Sequence, residues 1–293
     1  MRDYAIITDS GCDLPASMVE ELGIKVVPMG LTIDGNTYRH FHDYRELSSE
    51  KFYELIRDGK IGTTSCVSIG DVESAMEECL RNEQDVLYLS FSSGMSGAYQ
   101  ASMAAAEDMR EKYPDANIIV VDTLCGCIGL GMITYMAVLK KQEGWSIDAV
   151  AAYVESHKLN ICHFFTVDDL QYIQKTGRIS HLTAIVGGII GVKPVFILDN
   201  DGRVCNDKKQ RGRKAAIKYL ADITDKKIVD EQFIFIVHAD AEADAMTLKS
   251  MIQKSHPGAK IFVNQVGPIL GNNTGPGALA VIFMGETRYS DKP

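Results

Sequence analysis

Across residues 1–160, short apolar runs end at a carboxyl, hydroxyl or glycine and give way to a helical pattern, and nothing else in the chain narrows its fold as much. Tyr4-Ala5-Ile6-Ile7-Thr8 stops at Asp9-Ser10-Gly11. Val86-Leu87-Tyr88-Leu89 stops at Ser90-Phe91-Ser92-Ser93-Gly94, and Asn117 to Val121 stops at Asp122-Thr123. Alternation of this kind is the sequence form of a parallel sheet whose crossover helices cover both faces. Helix signals agree. Asp13 is placed to cap a helix carrying Met18, Val19 and Leu22 that stops at Gly23, and Ser68 with Asp71 has capping-box spacing ahead of Val72, Met76 and Cys79. Ala98 to Met109, Gly126 to Lys141 and Ser146 to His157 carry further helical spacing.

Past residue 160 the pattern changes. Strand-like runs cover Cys162–Val167, Pro194–Leu198, Phe233–Val237, Ile261–Val263 and Ala278–Met284, and Asn200-Asp201-Gly202 is a tight-turn signal that makes part of this sheet antiparallel. Helical segments follow Arg213, through Ile217 and Leu220, and run from Ala241 to Ile252. The predicted fold is therefore α/β in two domains. Residues 1–160 form a parallel sheet with helices on both faces, and residues 161–293 form a mixed or antiparallel sheet with helices.

Composition removes several function classes. The 293 residues carry a net charge of −9, with 46% hydrophobic and 24% charged residues, so neither nucleic acid nor an anionic membrane finds the positive footprint it needs. The longest apolar run, near Ala184–Gly191, is far short of a membrane span, and a cytoplasmic location is expected. Seven scattered cysteines fit reduced thiols rather than a disulfide framework. Cys125-x-Cys127 has no second Cys or His pair nearby, so neither a metal nor another cofactor is expected.

Ligand chemistry concentrates in polar clusters at strand ends and loops: Asp9-Ser10, Thr63-Thr64-Ser65 with Ser68, Ser92 to Gly97, and Gly267 to Gly277. In open α/β sheets ligands sit beyond the carboxyl ends of the strands, and hydroxyls with backbone amides suit a carboxylate or phosphate without a buried counter-charge. Caps and turns would use the same residue types. A hydrolase is disfavoured because Gly94-Met95-Ser96-Gly97 places its second glycine one residue too early for a nucleophile elbow, and His163 and His238 sit singly at strand ends. No Walker or dinucleotide fingerprint follows a strand.

Together, Ile7-Thr8-Asp9-Ser10, Thr64-Ser65-x-x-Ser68, Leu89-Ser90-x-Ser92-Ser93-Gly94-x-Ser96-Gly97-x-Tyr99, Val121-Asp122-Thr123, Leu170-x-x-Ile173-x-Lys175-x-Gly177-Arg178-Ile179-Ser180, Lys193-Pro194 and Gly267-Pro268 through Gly275-Pro276-Gly277 resemble the DegV family along nearly the whole chain. The resemblance implies a two-domain fatty-acid-binding protein, without catalytic activity of its own. The carboxyl group would be held at the domain interface and the acyl chain buried in a tunnel of the C-terminal domain. The ligand class would be a long-chain fatty acid such as palmitate, stearate or oleate. The implied partner is the ATP-binding subunit of a fatty acid kinase, to which the acid is presented for acyl-phosphate formation in phospholipid synthesis.

By the same resemblance Thr64 and Ser96 are the carboxylate-binding residues, with Ser93, Gly94, Asn273 and Thr274 around them, and the Thr63–Ser68 loop associates with the second domain. Arg178 matches an arginine associated with kinase docking, and Arg211 and Arg213 form a second short basic patch. The chain departs from the family pattern at Val67 and Thr176, where proline and glycine are usual, and at Asn273, where histidine is usual. Asn donates a neutral hydrogen bond but carries no proton charge near pH 7. Leu182–Val192 and Val195–Leu198 supply apolar length for a tunnel. The competing expectation is a phosphotransferase or another enzyme acting on a small anionic substrate in the same cleft.

Overall fold

The protein, described here from a computed structural model, is placed over residues 2–177 and 191–288. It divides into two compact units: residues up to Ser48 with Thr64–Lys158, and Ser49–Thr63 with the residues from Leu159 on. The expected boundary near residue 160 corresponds to the Lys158/Leu159 junction, but Ser49–Thr63 is an excursion that groups with the second unit. Of the loop expected to associate with the second half, Thr64 to Ser68 groups with the first unit.

In chain order the first unit opens with β1 (Tyr4–Asp9), a 3₁₀ turn over Ser10–Cys12, α1 (Ala16–Glu21) and β2 (Lys25–Val27). The hairpin β3 (Met29–Ile33) and β4 (Asn36–His40) follows, then the excursion helix α2 (Ser49–Arg57), and β5 (Thr63–Ser65). The rest alternates: α3 (Ile69–Arg81), β6 (Asp85–Ser90), α4 (Ala98–Lys112), β7 (Ile118–Asp122), α5 (Ile128–Gln142) and α6 (Ile147–His157).

β2-β1-β6-β7 form a parallel sheet in that order, with Ile7 opposite Tyr88 and Ser90 opposite Asp122. Every residue of β1 and β6 is buried, because α3 and α4 pack together on the sheet and α5 and α6 do the same, leaving no solvated face. A small sheet β4-β3-β5 is added. Its hairpin turns at Asp34-Gly35, both at positive φ (50° and 77°), the geometry of a two-residue turn matched to strand twist.

One expectation fails locally. Asp13 does not cap α1: the residue before that helix is Pro15, which makes no side-chain cap bond, while Asp13 sits in the left-handed region at φ 49°. Its carboxylate accepts instead from the Cys127 thiol at 3.0 Å, a tertiary contact that sequence spacing cannot report.

The second unit contains β8 (Ile161–Thr166), α7 (Leu170–Thr176), β9 (Val192–Leu198), β10 (Val204–Arg211), α8 (Arg213–Lys227), β11 (Ile228–His238), α9 (Glu242–Ser255), β12 (Lys260–Gln265), α10 (Pro268–Thr274) and β13 (Leu279–Gly285). The sheet order is β10-β9-β8-β13-β11-β12, antiparallel except for β11 with β12. Period-2 alternation divides its strands cleanly. Phe164, Val195, Ile234, Ile236, Val281 and Phe283 pack with Leu220, Leu248 and Ile252 of α8 and α9. The intervening positions put Phe165, Phe196, Phe235 and Ile282 on the opposite face, where Phe165 and Phe196 are direct cross-strand partners, as are Phe235 and Ile282. Phe196 and Phe235 are completely buried there. Arg178 and residues 182–190 of the apolar stretch lie outside the described residues.

Candidate functional site

β6 ends at the carboxyl edge of the parallel sheet, and the chain leaves it through Phe91–Gly97 before α4 begins. Carboxylates at the ends of both neighbouring strands hold this serine loop. Asp9, last residue of β1, accepts the Phe91 N–H at Oδ2 (2.8 Å) and the Gly11 N–H at Oδ1 (3.0 Å). Asp122, last residue of β7, accepts the Ser93 N–H (3.2 Å) and the Leu124 N–H (3.1 Å) at one oxygen. The Phe91 ring is wedged tightly: a Cβ at Gly11 would lie 2.8 Å from it and one at Gly126 2.7 Å, so only glycine fits at either position.

The loop's backbone donors are largely consumed within it. Ser92 N–H goes to the Cys125 carbonyl (2.9 Å), Gly94 N–H to Ser92 Oγ (3.1 Å) and Ser96 N–H to the Ser92 carbonyl (3.1 Å). The first amide of α4, from Ala98, is taken as well, by Ser96 Oγ at 3.2 Å. Side-chain hydroxyls remain. Ser96 Oγ accepts that bond and keeps its proton to donate, and the Ser93 and Thr64 hydroxyls meet no partner among the described residues. All three residues are half-buried. Ser93, Gly94 and Ser96 share one loop of the first unit; Thr64 is central in β5, and two residues on, Cys66 Sγ would lie 3.7 Å from a Cβ at Gly97, so the chain leaving β5 meets that loop at Cys66.

The electrostatics of that neighbourhood are acidic. Asp9 is fully buried, and burial raises its carboxyl from 3.8 to about 7; its two N–H bonds work against the rise and the Asp13 charge adds to it. The Cys127 thiol is pushed well up by burial and by facing Asp13.

Asn273 and Thr274 belong to α10 of the second unit, where a helix replaces the expected glycine-rich loop; Pro268 occupies its first turn, where a missing N–H costs nothing. Both side chains turn back on that helix. Asn273 Nδ2 donates to the Ile269 carbonyl (2.6 Å) and Thr274 Oγ1 to the Leu270 carbonyl (2.9 Å), which leaves the buried Asn273 Oδ1 without a partner among the described residues. The neighbour that sequence reasoning missed is Asn272. It is wholly buried, and its amide both accepts from the Gly62 N–H (2.7 Å) and donates to the Gly62 carbonyl (2.9 Å), anchoring the excursion within its own unit.

The basic residues separate. Arg211 is exposed at the end of β10. Arg213 is largely covered and ion-paired with Asp244 (2.7 Å) and Asp168 (3.5 Å), the latter also held by Lys193 (2.8 Å). His238 Nδ1 accepts the Ala241 N–H (3.3 Å), a structural use, and burial lowers its pKa. Among the described residues no His, Cys, Asp and Glu side chains cluster as a metal site, and no helix is long and apolar enough to cross a membrane.

The model of the DegV family, described as an uncharacterised protein of family COG1307, matches residues 3–286. The chain belongs to the DegV family. A DegV domain-containing protein of Clostridium perfringens is 40% identical over 290 residues, covering 98% of this chain and 99% of that one. Among solved structures, a DegV family protein from Thermus thermophilus, described for its fatty acid binding, superposes with a TM-score of 0.87 at 27% identity, covering 97% of this chain and 100% of its own. DegV of Bacillus subtilis, described as a fatty acid binding protein, gives 0.84 at 27% identity, covering 98% and 100%. The α/β architecture with a four-stranded parallel and a six-stranded mixed sheet is the DegV architecture.

Proposed function

We propose that this DegV protein is a non-enzymatic carrier that binds a long-chain fatty acid, its carboxylate held by the Thr64 and Ser96 hydroxyls with Ser93 and Gly94 alongside. The observation that carries the reading is the hydroxyl group set at the carboxyl edge of the first unit's sheet, rigidly held and with protons left to donate, in a chain related over its whole length to fatty-acid-binding DegV proteins. Hydroxyl donors orient an anion, and affinity comes from the tail: each buried methylene is worth about 0.8 kcal/mol, so some fifteen contribute on the order of 12 kcal/mol before ordering costs. The bound acid is cargo for a separate cytoplasmic kinase that forms the acyl phosphate; Arg178 is the docking residue by family pattern, Arg211 is exposed, and Arg213 is committed to its own ion pairs.

Native mass spectrometry of the purified protein before and after organic extraction tests the reading. Loss of a mass of fatty-acid size, regained on adding palmitate, stearate or oleate, is expected. A protein that is empty and refuses added fatty acid overturns it. Turnover of ATP or acyl phosphate by the isolated chain, abolished in Ser96→Ala, would establish the phosphotransferase alternative in its place.

A further inference from the structure

Thr64, Ser93, Gly94 and Ser96 of the proposed head-group site are all uncharged, and the cation placed beside their loop, Lys158, donates to the Asp122 carbonyl at 2.9 Å and is ion-paired with Glu155 at 2.7 Å. The ionisable group tied to the first residue of the serine loop is itself an acid. Asp9 is wholly buried, one oxygen on the Phe91 N–H and the other on the Gly11 N–H. The titratable groups around it are Asp13 and Cys12 from its own turn and Tyr88 from β6, with Cys127 and Tyr44 flanking Asp13. On the adjoining strand β2, Lys25 is engaged with Glu78 of α3 at 2.6 Å. The cluster is acidic throughout, and the cation on the nearest strand is already paired.

We propose that Asp9 is a positioning residue that takes up a proton when the ligand's carboxylate binds, so that the serine loop receives an anion and a proton together. The proposal rests on the head-group reading above. A second negative charge brought next to a buried carboxyl stabilises the protonated form, and linkage makes the effect reciprocal: a proton on Asp9 improves the ligand's affinity by the same factor. One proton moves from solvent to an Asp9 oxygen and no other bond changes. The neutral carboxyl keeps its carbonyl oxygen as acceptor for one loop N–H. Burial already holds Asp9 at about 7, so the uptake falls near neutral pH.

Calorimetric titration of the full chain in two buffers of different ionisation heat measures the uptake. The probes are dodecanesulfonate, a permanent anion, and dodecanoate. At pH 7 about half a proton is expected per ligand, with affinity several-fold higher at pH 6 than at pH 8 and a ceiling of about tenfold per pH unit. Both effects should vanish in Asp9→Asn. Binding without uptake, or uptake unchanged in D9N, overturns the proposal and leaves the fatty-acid reading standing. Where dodecanoate alone binds, the difference between wild type and D9N decides, because the ligand's own proton is common to both. If D9N does not fold, infrared difference spectra of the wild type replace it: a protonated-carboxyl band should appear on ligand binding, and its absence overturns the proposal. If neither probe binds at any pH and palmitate is refused as well, the fatty-acid reading falls, and this inference with it.

Discussion

The serine loop of the first unit and the α10 turn of the second solve the same problem with different chemistry. The first is irregular backbone after β6 and the second a short helix after β12, each carrying hydroxyls or amides near a strand end. The serine loop hangs its N–H groups on two carboxylates, Asp9 and Asp122, delivered by adjacent strands. The α10 turn relies on neutral amides and its own carbonyls, with Asn272 closing a two-bond pair on Gly62. An anchor that includes the buried Asp9 carboxyl responds to pH and to a bound anion, whereas one made of amides responds to neither. The first device suits a site that must receive charge, and the second a fixed support.

Stability against pH breaks the comparison most severely. Asp9 binds its proton more tightly in the folded chain, at about 7, than the ordinary carboxyl at 3.8. Its contribution is therefore full below about pH 4 and is lost as pH rises to about 7, on the order of 4 kcal/mol by linkage. Denaturant unfolding across that range should show this downward component in the wild type and its disappearance in Asp9→Asn. Asn272→Ala is expected to act equally at every pH, costing about 1–2 kcal/mol because the half-buried N–H and carbonyl of Gly62 both lose their partner. A pH-dependent cost there would mean that the second anchor is not neutral.

Ser96→Ala separates binding from support. The loop keeps its carboxylate anchors and loses only the Ser96 Oγ acceptor of the Ala98 N–H, so the variant should fold at a cost of about 0.5–1.5 kcal/mol, while fatty-acid affinity drops about tenfold, roughly 1.4 kcal/mol, by displacement of a fluorescent acid. A methyl ester of the same acid should bind wild type and variant alike, since it presents no anion to the hydroxyl. Equal loss for acid and ester would assign Ser96 to structure.

These devices differ in how legible they were. The strand, turn and helix alternation of residues 1–160 follows from period and caps, and it places Ser92–Gly97 at a carboxyl edge without any coordinates. Thr64 and Ser96 were reachable only through the spread of motifs along the chain, because hydroxyls at turns have an ordinary use as caps. Asp9 and Asp122 carried a readable signal, an acid as the last residue of a buried strand. Their targets in the serine loop, 82 and 29 residues away, carried none. Asp13 shows the limit: helix-start spacing is local, but the Cys127 thiol that captures its carboxylate is 114 residues distant. The hairpin at Asp34-Gly35 was legible from its turn pair and went unread because its strands are short and partly polar. Asn272 was hidden behind its neighbour, where the departure from histidine drew attention to Asn273.

Asp122→Asn should have the smallest effect and is the sharpest test of what the carboxylates are for. A single Asp122 oxygen accepts both the Ser93 and the Leu124 N–H, and an Asn carbonyl oxygen in the same place has two lone pairs for the same two bonds. Only charge assistance is lost, about 0.5–1 kcal/mol in stability. The anion-linked proton uptake assigned to Asp9 should persist in this variant, because Asp9 and its two N–H bonds are untouched. Asp122→Ala, which removes the acceptor itself, should cost about 1–3 kcal/mol and weaken fatty-acid binding through Ser93 and its neighbours. If D122N were as damaging as D122A, charge rather than acceptor geometry would hold the serine loop at β7, and a neutral anchor like that of Asn272 could not substitute for it.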